Sequence, residues 1–460
     1  MQVGADARPE QDGGVVGKPR PSKRAYLWWI TAIAFAALAV RVAYVAARWH
    51  NVVATSFDQY WYQNLATMIV KGRGISSPTA FVNYNETVPT ALHGPFTSFL
   101  LVPFDVVGLG RLHEHQLLIA FLGMVTVVLL ALLAGNLVSR GAGLATGVVG
   151  ALYPGLWVFD AKVMSEPVEQ LLVAVTLLFA YGFRRRPTFP RAIGIGVSVG
   201  LSVLTRSELL LEVPLIVIPL CIGAFRDNDG RRILKISGVA VASTALVLAP
   251  WIAYCQTAFH DPEVLTTDLG VGLIQDNNPT TYYTSRIGFW YSPATNPEPG
   301  DESQVDHAYQ HEALSYARAH KSRIPVVVLA RVGRVWSLYN PFQTARFTAV
   351  GASCPPPVGC IVDSVEDLKA QQAWIWSFYF LIPFAVVGAV VLRRRRRIIY
   401  PLLCLAVIVT IVAVIEAGVL RFRAPFEDAL VVMAGIGIYA ILERLFRPRR
   451  GRHARKVRQA

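Results

Sequence analysis

Long apolar runs separated by short basic loops set the plan of this chain. From Tyr26 to Arg48 the side chains are mostly apolar, and at about 1.5 Å per residue such a helix crosses a hydrocarbon core of ~30 Å. A cleaved signal peptide would carry a shorter apolar core and a small-residue cleavage site, so this run is expected to remain as a first span, leading from inside to outside. Further runs at 115–138, 143–159, 166–183, 191–205, 208–225, 233–253, 373–392, 398–418 and 424–446 complete ten expected spans. With that count Arg140, Arg184–Arg186, Arg226, Arg231, Arg232, Lys235 and Arg393–Arg397 all fall on one side, as cytoplasmic loops require. The run at 96–110 contains Pro103 and Asp105 and follows Pro95, which predicts a re-entrant or interfacial segment. The expected organisation is a basic cytoplasmic tail at 1–25, a membrane module at 26–253 with an external loop at 50–114, an external subdomain at 254–371, closing spans at 372–446 and a second basic tail at 447–460. The fold class is therefore an all-α polytopic membrane protein.

Just beyond the first span lies a different pattern. In Ser56–Gly74 the residues Tyr62, Leu65, Ala66, Ile69 and Val70 recur at helical steps, predicting an amphipathic helix on the membrane surface that Lys71-Gly72-Arg73-Gly74 terminates. Asp58 stands at its head. A carboxylate there either caps the helix or faces the polar part of a membrane-bound substrate. In the later loop, 311–339 reads as helix with Arg331 and Arg334 expected at the lipid surface, while the Asp/Asn/Tyr/Trp-rich stretch from Asp276 to Tyr291 suits either sugar binding or packing on its own aromatics.

Composition agrees with the pattern: 460 residues, 53% hydrophobic and only 16% charged, with mean hydropathy +0.42, are too apolar for an ordinary soluble protein. The net charge of +14 would suggest nucleic acid in a soluble chain, but its basic residues sit beside apolar spans, so it is assigned to topology and anionic lipid. Cys221, Cys255, Cys354, Cys360 and Cys404 contain no CxxC pair, and only Cys354 and Cys360 share a loop in which a disulfide could form.

Ionisable residues at the expected outer face are the informative remainder, because charge near hydrocarbon is costly. Asp58, His93, Asp160, Lys162, Glu166, Arg206, Glu208, Arg421 and Arg423 all fall there. Singly, each could snorkel to water at a helix end; together, carboxylates and arginines describe a polar cavity for an anionic ligand. Arg421 and Arg423 could clamp a phosphate, since a guanidinium matches phosphate with paired donors.

The order of these features resembles the GT-C fold glycosyltransferases, in the superfamily of protein O-mannosyltransferases, aminoarabinose transferases and their bacterial family 39 relatives. Asp58, Tyr60, Ala66, Gly72 and Gly74 are similar to that family's first-loop pattern. His93-Gly94-Pro95 stands where a His/Lys-Pro-Pro motif is frequent, Ser165-Glu166-Pro167 resembles the second acidic loop, and Leu204-Thr-Arg-Ser-Glu208 resembles a Leu-Thr-Arg-Pro-Glu turn. Asp276-Asn-Asn-Pro279 with Tyr282 is similar to actinobacterial-type members. Gln59 replaces the Glu of the protein mannosyltransferases, which counts against a protein acceptor.

The resemblance implies transfer of a mannose- or arabinose-type sugar from a polyprenyl-phosphate donor to a glycan, lipid or protein acceptor hydroxyl on the outer face of the plasma membrane. It implies Asp58 as base, Glu166 as orienting carboxylate, Arg421, Arg423 and Arg206 on the phosphate, and His93, Glu208, Asn277 and Tyr60 as further substrate contacts. No cofactor is expected; a divalent cation is disfavoured because hard oxygen sites want more ligands than two acidic loops supply. The rival reading is a transporter or flippase, which would place its ionisable residues mid-span in repeated halves.

Overall fold

The computed structural model describes residues 22–48, 57–225, 229–293, 300–350 and 365–446. The distal parts of both basic tails, Ser56, Arg226 and the Cys354–Cys360 loop lie outside these ranges. Among the described residues the protein is helical, with one isolated bridge of extended backbone between Ser76 and Pro89.

The first span is α1 (Lys23–Arg48), followed by the short helices α2 (Phe57–Val70), α3 (Pro78–Tyr84) and α4 (Phe96–Val106). The bundle continues with α5 (Leu112–Leu137), α6 (Arg140–Leu152), α7 (Glu166–Arg185), α8 (Phe189–Thr205), α9 (Ile218–Ala224) and α10 (Gly230–Ala258). The long later loop carries α11 (Leu269–Asp276), α12 (Pro279–Tyr283), α13 (Glu302–Ala319), α14 (Ile324–Val335) and α15 (Pro341–Val350). Last come α16 (Val365–Arg394), α17 (Tyr400–Ile415) and α18 (Ala424–Leu445).

Among the described residues, seven helical stretches are long and apolar enough to cross a membrane: Arg24–Arg48, Leu112–Leu137, Glu166–Arg185, Ser207–Ala224, Gly230–Ala258, Asp367–Arg394 and Leu420–Leu445. Two more of the expected spans, α8 and α17, are shorter apolar helices. The expected span at 143–159 is the least regular, since α6 stops at Leu152 and a 3-10 turn at Pro154–Leu156 follows. The 208–225 span is built from a 3-10 turn, a π-helical turn at Val213–Val217 and α9, where Pro214 and Pro219 withhold backbone donors.

α18 is the axis of the larger core: Ala429 to Ile436 are buried without interruption, with α5, α6, α7 and α16 packed against it. Such all-round burial needs apolar residues on every face rather than a stripe. α16 approaches closely enough that a Cβ on Gly388 would lie 1.8 Å from the Met433 carbonyl oxygen, so only glycine fits that crossing. A second core joins α8, α9 and α10. A third, of Trp61, Tyr62, Leu65, Ala66, Leu101 and Val163, packs α2 on α4 and fixes the head of α2 relative to the bundle.

The helix expected over 311–339 is two helices. α13 begins earlier, where Asp301 accepts from the Ser303 and Gln304 amides, and α14 restarts at Ile324-Pro325, a proline suited to a first helical turn. Arg331 and Arg334 are not at a lipid surface but 4% and 0% exposed. Arg331 donates to the carbonyls of Asp276, Val414 and Ile415, and Arg334 to those of Ser285 and Ile287. Irregular loop backbone leaves carbonyls unpaired, and a five-donor guanidinium satisfies several at once.

Candidate active site

α2 forms where the sequence predicts it, with Trp61 and Leu65 fully buried. Ser98 Oγ of α4 donates to the Tyr62 carbonyl at 2.9 Å, which ties the two short helices together. In the first turn of α2 the Asp58 carboxylate turns toward the bundle and accepts from Arg421 Nη1. Its other oxygen faces His93 Nε2 at 3.7 Å. Burial works against the charge on Asp58, but Arg421 foremost, then His93, more than offset it and hold the carboxyl well below its ordinary range.

The second carboxylate is Glu166, at the first position of α7 and fully buried. Arg421 Nε lies 3.8 Å from its Oε1, so one guanidinium spans both candidate carboxylates. Arg206 Nη1 approaches the same oxygen at 3.4 Å and also reaches Glu169 at 3.7 Å and Glu208 at 2.5 Å. The Phe422 ring lies between the two arginines, 5.0 Å from the Arg206 guanidinium carbon and 5.6 Å from that of Arg421. Asp58, Glu166, His93, Arg206, Glu208 and Arg421, drawn from five separate stretches of sequence, therefore form one connected cluster.

His93 is held by its flanks. Tyr254 Oη donates to the carbonyls of Ile75 and Thr90, and Glu302 accepts from Thr90 Oγ1 at 2.7 Å and from the Ala91 amide at 2.9 Å. The Thr267 amide donates to the Ala91 carbonyl at 2.9 Å, pinning the long loop beside this segment. A Cβ on Gly94 would lie 2.4 Å from the Leu204 carbonyl oxygen, so the first loop and the Leu204–Glu208 turn touch backbone to backbone. His93 Nδ1 then meets Asp268 Oδ2 at 3.4 Å, while the rings of Trp61 and Tyr62 stand 5.0 and 5.4 Å from the imidazole.

Two expected site residues, Arg423 and Asn277, are bound elsewhere. Arg423 does not reach the cluster: it is fully buried, donates to Glu427, Ser337 and the Val335 carbonyl, and stacks 3.7 Å over Phe378. Asn277 organises the loop, its side-chain oxygen accepting from Tyr282 Oη at 2.9 Å and Arg331 at 3.1 Å. Tyr60 lies half-buried on α2, its carbonyl accepting from Asn64. Asp160 and Lys162 also stand apart, paired with Arg41 at 2.8 Å and Asp367 at 3.3 Å. The sequence reading missed Asp268, Glu169 and Glu302. Glu169 was legible one helical turn after Glu166, whereas Asp268 and Glu302 had no local signal. Among the described residues no group of three or more His, Cys, Asp or Glu side chains is arranged to hold a metal ion.

The sequence matches no protein-family model and no curated protein. Among solved structures, the chain resembles the oligosaccharyltransferase of Archaeoglobus fulgidus in its apo form, at 13% identity and TM-score 0.52, over 92% of this chain and 51% of that one. The same enzyme tethered to an acceptor peptide containing the NVT sequon gives 14% identity and TM-score 0.53, over 92% and 50%. ArnT of Cupriavidus metallidurans bound to undecaprenyl phosphate aligns at 14% identity with a TM-score of only 0.38, over 90% and 77%, too low to carry weight. At these identities the likeness is one of fold. The chain spans about half the length of the archaeal enzyme and has a GT-C-type fold.

Proposed function

We propose that this protein is a membrane glycosyltransferase that moves a sugar from a polyprenyl-phosphate to an acceptor hydroxyl at the Asp58–Glu166 cluster. The observation that carries the reading is the Arg421 guanidinium shared between two carboxylates of separate loops, on a GT-C-type fold. In the reaction the acceptor oxygen attacks the anomeric carbon, the bond from that carbon to the phosphate oxygen breaks, and the electron pair leaves with the polyprenyl phosphate. The acceptor proton passes to Asp58, the carboxylate nearest the membrane-surface helix. Arg421 and Arg206 stabilise the charge that grows on the leaving phosphate, as fixed cations do without reorganising. Glu166 orients Arg421 and Arg206 and, through them, the donor; Glu208 shares Arg206.

The finer assignment is to the superfamily of family 39, protein O-mannosyltransferase and aminoarabinose transferase enzymes, with a mannose- or arabinose-type sugar, cell-envelope acceptors and an active site on the external face of the plasma membrane. Positive side chains supply the phosphate binding, so the proposal requires no cofactor.

The test is label transfer. Membranes containing the protein are incubated with polyprenyl-phosphate mannose and, separately, polyprenyl-phosphate arabinose, each radiolabelled in the sugar. Wild type should move one label to an acceptor, and Asp58→Asn, which keeps size but not basicity, should lower turnover by roughly 10²–10⁴-fold with donor affinity largely kept. Normal turnover by a well-inserted Asp58→Asn protein would remove the base assignment, and translocation of the donor without sugar transfer would favour a flippase.

A further inference from the structure

His93 stands between two carboxylates that are distant in the sequence, Asp58 and Asp268. Its Nδ1 meets Asp268 Oδ2 at 3.4 Å, and its Nε2 faces Asp58 Oδ1 at 3.7 Å and is buried without a hydrogen-bond partner. Asp268 is itself oriented, because Thr266 Oγ1 donates to its other oxygen at 2.7 Å and the neighbouring Thr267 is tied to both Ala91 and Glu302. Its side chain is 39% exposed, against 17% for His93 and 21% for Asp58. A carboxylate on Nδ1 selects the tautomer that carries its proton there and leaves Nε2 as a base aimed at Asp58.

We propose that Asp268 is a positioning residue that holds His93 as the proton acceptor behind Asp58, so that the acceptor proton leaves the site through Asp58 and His93 toward Asp268 and water. The inference rests on the glycosyltransferase reading and adds an exit for the proton. The hydroxyl proton that Asp58 receives passes to His93 Nε2, giving an imidazolium flanked by Asp268; the Nδ1 proton then departs through Asp268 to solvent, leaving the ring neutral with its proton on Nε2, and a ring flip or solvent-mediated tautomerisation restores the Nδ1 proton before the next cycle. No co-reactant is needed.

The electrostatics favour that direction. Burial opposes the charge on Asp58, but Arg421 and then His93 more than offset it and hold the carboxyl well below its ordinary range, so a proton it receives is passed on readily. For His93, burial disfavours the cation, but Asp268 and Asp58 favour it more strongly and Arg421 opposes them, leaving the imidazole more basic than usual. The charged and titratable groups facing it are Asp58 and Tyr62 of α2, Asp268 before α11, Arg421 before α18 and, beyond the Thr90–Ala91 backbone, Glu302 of α13.

A neutral His93 is required at the start of each cycle, so kcat should rise with pH through the imidazole pKa. Asp268→Asn removes a charge that raises that pKa. Its acid limb should move to lower pH by roughly one unit or more, with a lower plateau and an unchanged donor KM. Asp268→Glu should restore both. A second readout needs no substrate: in full-length detergent-solubilised protein carrying nitrogen-labelled histidine, the His93 NMR signal, assigned by its loss in His93→Gln, should titrate at lower pH in Asp268→Asn. An unshifted His93 titration, or a kcat loss in Asp268→Asn with the acid limb in place, overturns the relay while leaving wild-type transfer intact. Absence of sugar transfer by the wild-type protein removes instead the reading on which it rests.

Discussion

Arg421 and Arg423 are two residues apart and do different work. In a regular helix residues two apart point to different faces, and here the backbone passes through a 3-10 turn at Leu420–Arg423 before Pro425 opens α18. Arg421 emerges on the carboxylate cluster, 30% exposed, while Arg423 enters the core and pairs with Glu427, which also accepts from Tyr153 and Trp374. The arginine pair was legible in the sequence, and its two-residue spacing meant that both could face one cavity only where the chain leaves regular helix, a break that Pro425 favours. Which one faces the cavity was not legible, because apart from Glu427 the partners of Arg423 are distant in sequence, Trp374 and Phe378 on α16 and Val335 and Ser337 in the long loop. Arg423→Ala strands a buried carboxylate and should cost about 3–5 kcal/mol, read as a lowered thermal midpoint in detergent. Arg421→Ala should leave that midpoint nearly unchanged and raise the apparent donor KM; equal effects of the two variants on stability would contradict this division.

Among the elements, α2 and most spans were readable because each follows from local apolar periodicity. The long loop was not. Its helices are fixed by Arg331 and Arg334 gathering distant carbonyls and by Glu302 holding Thr90, a pair 212 residues apart, and no local pattern encodes contacts of that range. Lone arginines in an amphipathic stretch look like lipid-facing charges until their carbonyl partners are placed. The same limit hid Asp268, which reads as an ordinary polar residue before a helix until folding sets it on His93. Gly94 is where two such elements meet. Gly94→Ala puts a methyl group 2.4 Å from the Leu204 oxygen, and backbone must separate there to accept it. Because the shift moves His93 and the Arg206 turn together, turnover should fall by at least tenfold, a loss of about 1.4 kcal/mol in barrier terms, in protein that still extracts as a folded monodisperse species. Near-normal turnover in Gly94→Ala would mean that the contact between the two loops does not set the site.

On the scale of the whole molecule, the Asp58 cluster and the long loop lie on one side of the bundle, because Glu302 at the head of α13 binds the Thr90–Ala91 segment that leads to His93. The Arg393–Arg397 run lies at the far end of α16, which is 30 residues or about 45 Å of helix. Basic clusters are expected on the cytoplasmic side, and the proposed topology accordingly has Arg394 inside and the site outside. A lipid-linked sugar needs that arrangement, since its phosphate sits at the interface while its sugar meets an acceptor beyond it. Single cysteines test the arrangement in a background where Cys354 and Cys360 are replaced by serine; Cys221 and Cys255 are buried. Glu312→Cys, exposed on α13, should react with a membrane-impermeant maleimide in intact cells, and Arg394→Cys, exposed at the end of α16, only after permeabilisation. The reverse pattern would turn the cluster toward the cytoplasm and remove the case for an external acceptor. Labelling of both from outside would mean that α16 does not cross the membrane, and the span count that puts every arginine cluster on one side would fail with it.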